Sequence, residues 1–260
     1  MSGQVRSERH GAIGWIIFDH PERRNAISGA MWQAIPQCMR SLDDDPAIRV
    51  IIMRGAGETA FVSGADISEF EHSRSGPGAE QYDADNERAV EALLACNKPV
   101  IALIHGFCVG GGCALALAAD LRYAADDAVF AIPAARLGLG YGAAGLDVLV
   151  RTVGLPAAKE MFFTARRFVA TEAAHVGLIN RVVPKAELNA YVVQLANEIA
   201  ANAPLTIRSA KLVLRELMKD AAHRDYPAIA QSIRDCYASA DYAEGVRAFL
   251  EKRRPRFTGR

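Results

Sequence analysis

The chain is short of several things, and each shortage narrows what it can be. Neither sign of charge is in excess, since 30 Lys and Arg stand against 30 Asp and Glu in 260 residues. Binding nucleic acid through its phosphates calls for a basic surplus, so this balance argues against nucleic acid as the main partner. A local basic patch for a small anion remains open. Cysteine is sparse and scattered, at Cys38, Cys96, Cys108, Cys113 and Cys236. The number is odd and no two form a Cys-x-x-Cys pair. That argues against a disulfide framework and a structural zinc site, and it fits a reducing compartment. Long apolar runs are missing too. The most apolar region, Val100 to Ala119, is interrupted by His105 and by glycines, so it reads as buried core and not as a membrane span. The opening residues MSGQVRSERHGAIGW hold no apolar stretch of signal-peptide length. A cytoplasmic globular protein is expected, with no membrane partner and no metal.

What is present is enough apolar sequence, 51% of the chain, to build one large domain or a domain with an appendage. VRSERHGAIGWIIFD reads as a hairpin around His10 and Gly11, with Trp15 to Phe18 in its second strand. HPERRNAIS is a loop, and Ser28 is placed to cap an amphipathic helix that ends near Asp43 to Asp45. IRVIIMRG and KPVIALIHG read as buried strands. HSRSGPGAEQ, residues 72–81, is polar and expected to be mobile, and a helix is expected from about Ala79 to Ala95. DLRYAADDAVFAIP reads as two short strands around Asp126 and Asp127. From Gly142 onward the pattern is mainly helical apart from a short strand in GLINRVVP. Strands and helices alternate in the first half and helices dominate the second, which suggests α/β layering.

In HGFCVGGGCALALAAD, three glycines separate a strand from an apolar helix. A glycine run there exposes backbone N–H groups at a helix N-terminus, which suits a phosphate or a carbonyl oxygen that becomes negative during reaction. Tight helix–strand packing selects glycine as well, and this stretch alone leaves both readings standing. FVSGADISEF, Phe61 to Phe70, places a second glycine turn directly after a strand. Two such turns can each aim one N–H at the same oxygen.

Together these two stretches resemble the crotonase (enoyl-CoA hydratase/isomerase) superfamily, with its patterns F-x-x-G-x-D-[IL] and [NH]-G-x-x-x-G-G-G. The likeness runs nearly end to end, through HPERRNAIS, LRYAADDAVFAIPAARLGL, AKEMFFTARRFVATEAAHVGLINRVVP and EGVRAFLEKRRPRF. It implies an α/β fold, a spiral of ββα units making two sheets, over residues 1–195. Residues 196–260 would form a C-terminal helical region that assembles trimers or hexamers. It implies an acyl-CoA thioester substrate, with CoA as part of the substrate and no separate cofactor. The main-chain N–H groups of Ala65 and Gly111 would form an oxyanion hole for the thioester carbonyl. Arg23, Arg24 and Ala26 would lie near the CoA pyrophosphate or pantetheine, and Ser63, Asp66 and Ile67 along the adenine and pantetheine arm. Lys252, in the last helix, would reach a phosphate from a neighbouring subunit. Solvated surface charge is the alternative for the three basic residues, and bracing of the turn for Asp66.

The resemblance fails at two positions. Hydratases of this family position water with two glutamates, and the matching residues here are Ala114 and Ala134. Alanine neither donates, accepts nor orients a water. Hydration by two carboxylates is therefore not expected, and simple isomerisation is in doubt. Decarboxylation of a malonyl-type thioester gives the same enolate without a base, and an apolar pocket favours loss of the charged group. Tyr141, in LGLGYGAAG, matches a tyrosine of the methylmalonyl-CoA decarboxylase branch and would bind the carboxylate or relay a proton. A hydratase or isomerase with an atypical acid/base residue, or a non-catalytic acyl-CoA binder, are the alternatives. His105, Cys108, Cys113, Glu69 and Asp147 are further candidates with structural roles as the simpler reading. GYGAAG, Gly140 to Gly145, with Glu160 beyond it, formally satisfies a dinucleotide fingerprint, although no clear βαβ unit surrounds it.

Overall fold

Successive side chains of a strand face opposite ways, so an almost wholly apolar run such as VIIMRG needs cover on both faces. The computed structural model, which describes residues 3–66 and 77–260, shows what provides it. The chain opens with the expected hairpin, β1 (Gln4–His10) and β2 (Ile13–Asp19), paired antiparallel. Helix α1 (Gly29–Asp44) follows, and the Ser28 hydroxyl accepts from the Met31 N–H at its first turn, at 3.3 Å.

Three strand–strand–helix units come next. The first is β3 (Val50–Gly55), β4 (Ala60–Val62) and α2 (Pro77–Ala95). The second is β5 (Val100–Ile104), β6 (Phe107–Val109) and α3 (Gly111–Ala118). The third is β7 (Leu121–Ala125), β8 (Val129–Ala131) and α4 (Ala143–Thr164), the last broken at Gly154. Then come β9 (Phe168–Val169), α5 (Ala170–His175), β10 (Arg181–Val183) and α6 (Lys185–Ala200). Helices α7 (Pro204–Leu217), α8 (Tyr226–Ala238) and α9 (Ala240–Leu250) complete the chain. In each unit the first strand enters a six-stranded sheet, β1-β2-β3-β5-β7-β10, and the second a four-stranded sheet, β4-β6-β8-β9. This is the spiral of ββα units expected from the sequence.

The two faces of the larger sheet account for its apolar strands. Val50, Ile52, Ile101 and Leu103 cluster with Leu188, Val192 and Ala196 of α6. Ile51, Met53, Ala102 and Ile104 share the opposite cluster with Met31, Trp32 and Ile35 of α1. Each large aliphatic side chain so buried stabilises the fold by about 1.5–3 kcal/mol.

Several expectations are refined. IHGFCVGGG does not run straight from strand to helix. Gly106, at φ 54°, turns the chain so that β6 crosses into the smaller sheet, and a Cβ there would lie 1.9 Å from the Thr59 carbonyl oxygen. The expected division between residues 195 and 196 falls inside α6. The mobility expected of the polar segment falls largely outside the described residues, and α2 already begins at Pro77. Among the described residues no helix is long and apolar enough to cross a membrane.

Two polar residues lock the parts that matter for the site. Asn25 is buried in a left-handed conformation, φ 56°. Its Oδ1 accepts from the His20 N–H at 3.0 Å, and its Nδ2 donates to the carbonyls of Ala56 and Ala60 at 3.0 and 2.7 Å. It thereby ties the HPERRNAIS loop to the turn between β3 and β4. Asn25→Ala leaves those groups unpaired and is expected to cost about 3 kcal/mol, read as a lower urea midpoint with an unchanged m-value.

Asp85 ties α2 to α1. It accepts from Gln33 Nε2 at 2.8 Å and from Gln81 Nε2 at 3.1 Å, and it pairs with Arg88. Burial pushes its carboxyl pKa up, but these donors outweigh burial and hold it below the usual range. Its stabilising effect is therefore complete above the unfolded-state pKa and is lost as pH falls through the lower native value. The stability lost in Asp85→Asn, measured by urea titration, should be largest near neutral pH and should shrink below about pH 4.

Candidate active site

Each of the three glycines is required for a separate reason. Gly110 sits at φ 54°, ψ −113°, a conformation that side-chain-bearing residues rarely adopt. A Cβ on Gly112 would lie 2.2 Å from the Val62 carbonyl oxygen, and one on Gly111 would lie 2.8 Å from Trp32 Cζ2. Trp32 has no room to yield, since it is fully buried and its Nε1–H donates to Tyr82 Oη at 2.8 Å. The start of α3 is thus pressed onto the end of β4 and onto an indole ring.

The turn Ser63 to Asp66 is fixed from the other side. The Ile27 N–H donates to the Gly64 carbonyl at 2.8 Å, and the Asp66 N–H donates to the Ile27 carbonyl at 2.9 Å. Ile27 and Ala65 therefore form a parallel bridge, in which the N–H of Ala65 itself faces away from Ile27. The two glycine turns touch, for a Cβ on Gly110 would lie 3.9 Å from Gly64 Cα. Among the described residues no loop, turn or cap bond uses the N–H of Ala65 or of Gly111. Gly111 is the first residue of α3, where an amide has no intrahelical acceptor.

Ala65 and Gly111 line one cavity of about 410 Å³, a size suited to a small-molecule site. Ala114 and Ala134 line it as well, and no carboxylate stands at either place. Tyr141 lies on the wall formed by the loop before α4, its ring edge-on to Phe162 at 4.9 Å. Another wall is α2, which contributes Asp83, Glu87 and Glu91. At spacings of four these fall on one helix face, while Asp85 faces α1. Sequence reasoning missed this acidic wall, along with Trp32 and Tyr82. The spacing was visible, but nothing in the sequence says which face of α2 meets the cavity.

Of the other expected residues that are described, Ser63 alone lines this cavity. Arg23 pairs with Asp66 at 2.9 Å, which ties the HPERRNAIS loop to the turn. The Ser63 hydroxyl donates to the Arg23 carbonyl at 3.2 Å, and Ser63 lies on the cavity rim. The Arg24 guanidinium sits 5.0 Å from the centre of the Phe107 ring. Ala26 is buried in the same loop. Ile67 and Glu69 lie outside the described residues. Lys252 is not in the last helix but follows it, at φ 53° in an exposed turn.

His105 is buried away from the cavity, and burial pushes its imidazole pKa down. Burial pushes the Cys108 thiol up, so it is not an activated thiol, and Cys113 is buried with its Sγ donating to the Cys108 carbonyl at 3.0 Å. Asp147 pairs with Arg151 on the surface of α4. GYGAAG follows a 3₁₀ turn, Pro133–Arg136, and not a strand, and Glu160 pairs with Arg166. The dinucleotide reading falls with that strand.

Comparison with known proteins identifies the family. Residues 8–260 match the family model for enoyl-CoA hydratase/isomerase. The crotonyl-CoA hydratase of Syntrophomonas wolfei is 35% identical over 250 residues, covering 96% of each chain. A peroxisomal Delta(3,5)-Delta(2,4)-dienoyl-CoA isomerase of Arabidopsis thaliana is 32% identical, covering 97% of this chain and 95% of the other. A solved enoyl-CoA hydratase/carnithine racemase from Magnetospirillum magneticum superposes with a TM-score of 0.94 at 36% identity, covering 98% of this chain and 96% of that one. The chain belongs to the enoyl-CoA hydratase/isomerase family, within the crotonase superfamily, and is an acyl-CoA enzyme of that kind.

With alanine at 114 and 134, nothing at those places holds or deprotonates a water. Hydration of crotonyl-CoA, followed by loss of enoyl-thioester absorbance, should be slow. The double variant Ala114→Glu/Ala134→Glu should speed it by at least about 100-fold, the lower bound for an added acid/base group.

Proposed function

We propose that the protein moves a proton along the acyl chain of a CoA thioester, as an enoyl-CoA isomerase does, and adds no water. The observation that carries this reading is the pair of uncommitted amides, Ala65 and Gly111, on one cavity. A thioester carbonyl between them gains two preorganised donors as it becomes an enolate, and losing one such donor typically costs about 3–4 kcal/mol of barrier. The apolar walls around Leu139, Val148 and Phe162 exclude water from that charge. The dienoyl-CoA isomerase among the relatives fits this class of reaction.

Arg23, Arg24, Ala26, Ser63, Asp66, Ile67 and Lys252 are assigned to the CoA moiety on the family likeness, with CoA entering as part of the substrate. Homotrimers or hexamers are assigned to the C-terminal helices. The exposed apolar side chains there, among them Leu214, Tyr237, Phe249 and Leu250, support that assignment.

Decarboxylation, expected from the two alanines, fits the cavity less well. A malonyl-type thioester would bring its free carboxylate toward Glu87 and Glu91, with no Lys or Arg among the described lining residues to offset them. An uncharged acyl chain meets no such repulsion. Incubation with 3-enoyl, crotonyl and malonyl thioesters in D₂O, followed by mass spectrometry, tests the choice. The 3-enoyl form should become the 2-enoyl form, with deuterium entering only to the extent that the carried proton exchanges with solvent. Release of CO₂ from the malonyl form without that isomerisation would favour decarboxylation, and binding without any reaction would mark a binder.

A further inference from the structure

A proton transfer needs a carrier, and the two places where this family's hydratases hold carboxylates carry methyl groups here. The cavity brings another carboxylate in from a different element. Glu87 lies in the middle of the acidic face of α2, one helical turn from Asp83 and one from Glu91. Its Oε1 is 3.7 Å from where a Cβ on Gly142 would stand, so it reaches across to the loop that carries Tyr141. A Cβ at position 142 would stand in ordinary van der Waals contact with that oxygen. None of the described residues forms a hydrogen bond or ion pair with the Glu87 carboxylate. The nearby cation, Arg88, is turned away to Asp85. The helix itself is held in place at Tyr82, through Trp32, and at Asp85, through Gln33.

We infer that Glu87, on α2, is the acid/base residue of this enzyme and takes over the proton transfer that Ala114 and Ala134 are unable to perform. The inference rests on the proton-transfer reading above. The Glu87 carboxylate takes a proton from C2 of a 3-enoyl thioester. The C–H electron pair moves into the C1–C2 bond and the carbonyl π pair onto oxygen, between the amides of Ala65 and Gly111. The same carboxyl group then returns its proton to C4. The electrons flow back to restore the carbonyl, the double bond moves from C3–C4 to C2–C3, and no atom is gained or lost. One carboxylate serving both carbons requires transfer along one face of the chain, which a single helix wall provides.

The test compares the wild-type protein with Glu87→Gln, Glu87→Asp, Asp83→Asn and Glu91→Gln. The readouts are conversion of a 3-enoyl thioester to its 2-enoyl form, followed by the absorbance of the conjugated thioester, and thioester affinity by calorimetry. Glu87→Gln should lower conversion by about 10²–10⁴-fold, with affinity changed less than about threefold, because only the proton-carrying group is lost. Glu87→Asp should restore part of the rate, and the acid limb of the pH–rate profile should disappear in Glu87→Gln. Full conversion in Glu87→Gln, or a comparable loss in Asp83→Asn or Glu91→Gln with Glu87→Gln unaffected, overturns the assignment of Glu87 alone. Absence of conversion in the wild-type protein overturns the proton-transfer reading and this inference with it.

Discussion

Everything at the site depends on how closely two stretches of backbone approach each other. The carbonyl of Val62 and the first turn of α3 meet where a single methyl group on Gly112 would come within 2.2 Å of oxygen. That contact sets the N-terminus of a helix beside the turn that carries Ala65, and it leaves two amides without partners at the edge of an apolar cavity. Unpaired amides are costly in a protein interior, and a fold keeps them where something else supplies the acceptor.

The surroundings hold that approach in place. Trp32 lies under Gly111 and is itself pinned by Tyr82 from α2. Ile27 bridges Ala65, and Asn25 binds the loop before Ile27 to the β3–β4 turn. The same helix α2 that supplies Tyr82 supplies the acidic wall. One element therefore fixes the floor beneath one amide and lines the side of the cavity facing the acyl chain.

Parts of this were legible in the sequence, and other parts were not. The glycine run and FVSGAD marked places of close backbone approach, because few other residues tolerate them. The fold was implied by the family likeness those motifs carry, since strand propensity alone leaves open whether the strands form one sheet or a coiled stack. Strand β6 was hidden because three residues, FCV, carry no periodicity, and only the sharp turn at Gly106 announces it. Arg23 looked like a free cation, but a charge in sequence does not show its partner, and Asp66 lies 43 positions away. The role of α2 was hidden for a related reason. Its sequence carries carboxylates around most of the helix, and only packing decides that Asp85 looks toward α1 while Glu87 looks toward the cavity.

The claim that two main-chain amides converge on one thioester oxygen has a direct spectroscopic test. An acyl-CoA labelled with ¹³C at the thioester carbonyl, bound to the wild-type protein, reports the polarisation of that bond through its infrared stretching frequency. Two donors predict a clear shift to lower frequency relative to the free thioester in water. An unshifted or raised frequency in the bound state would contradict the account, since the carbonyl would then lie in an apolar pocket without those donors.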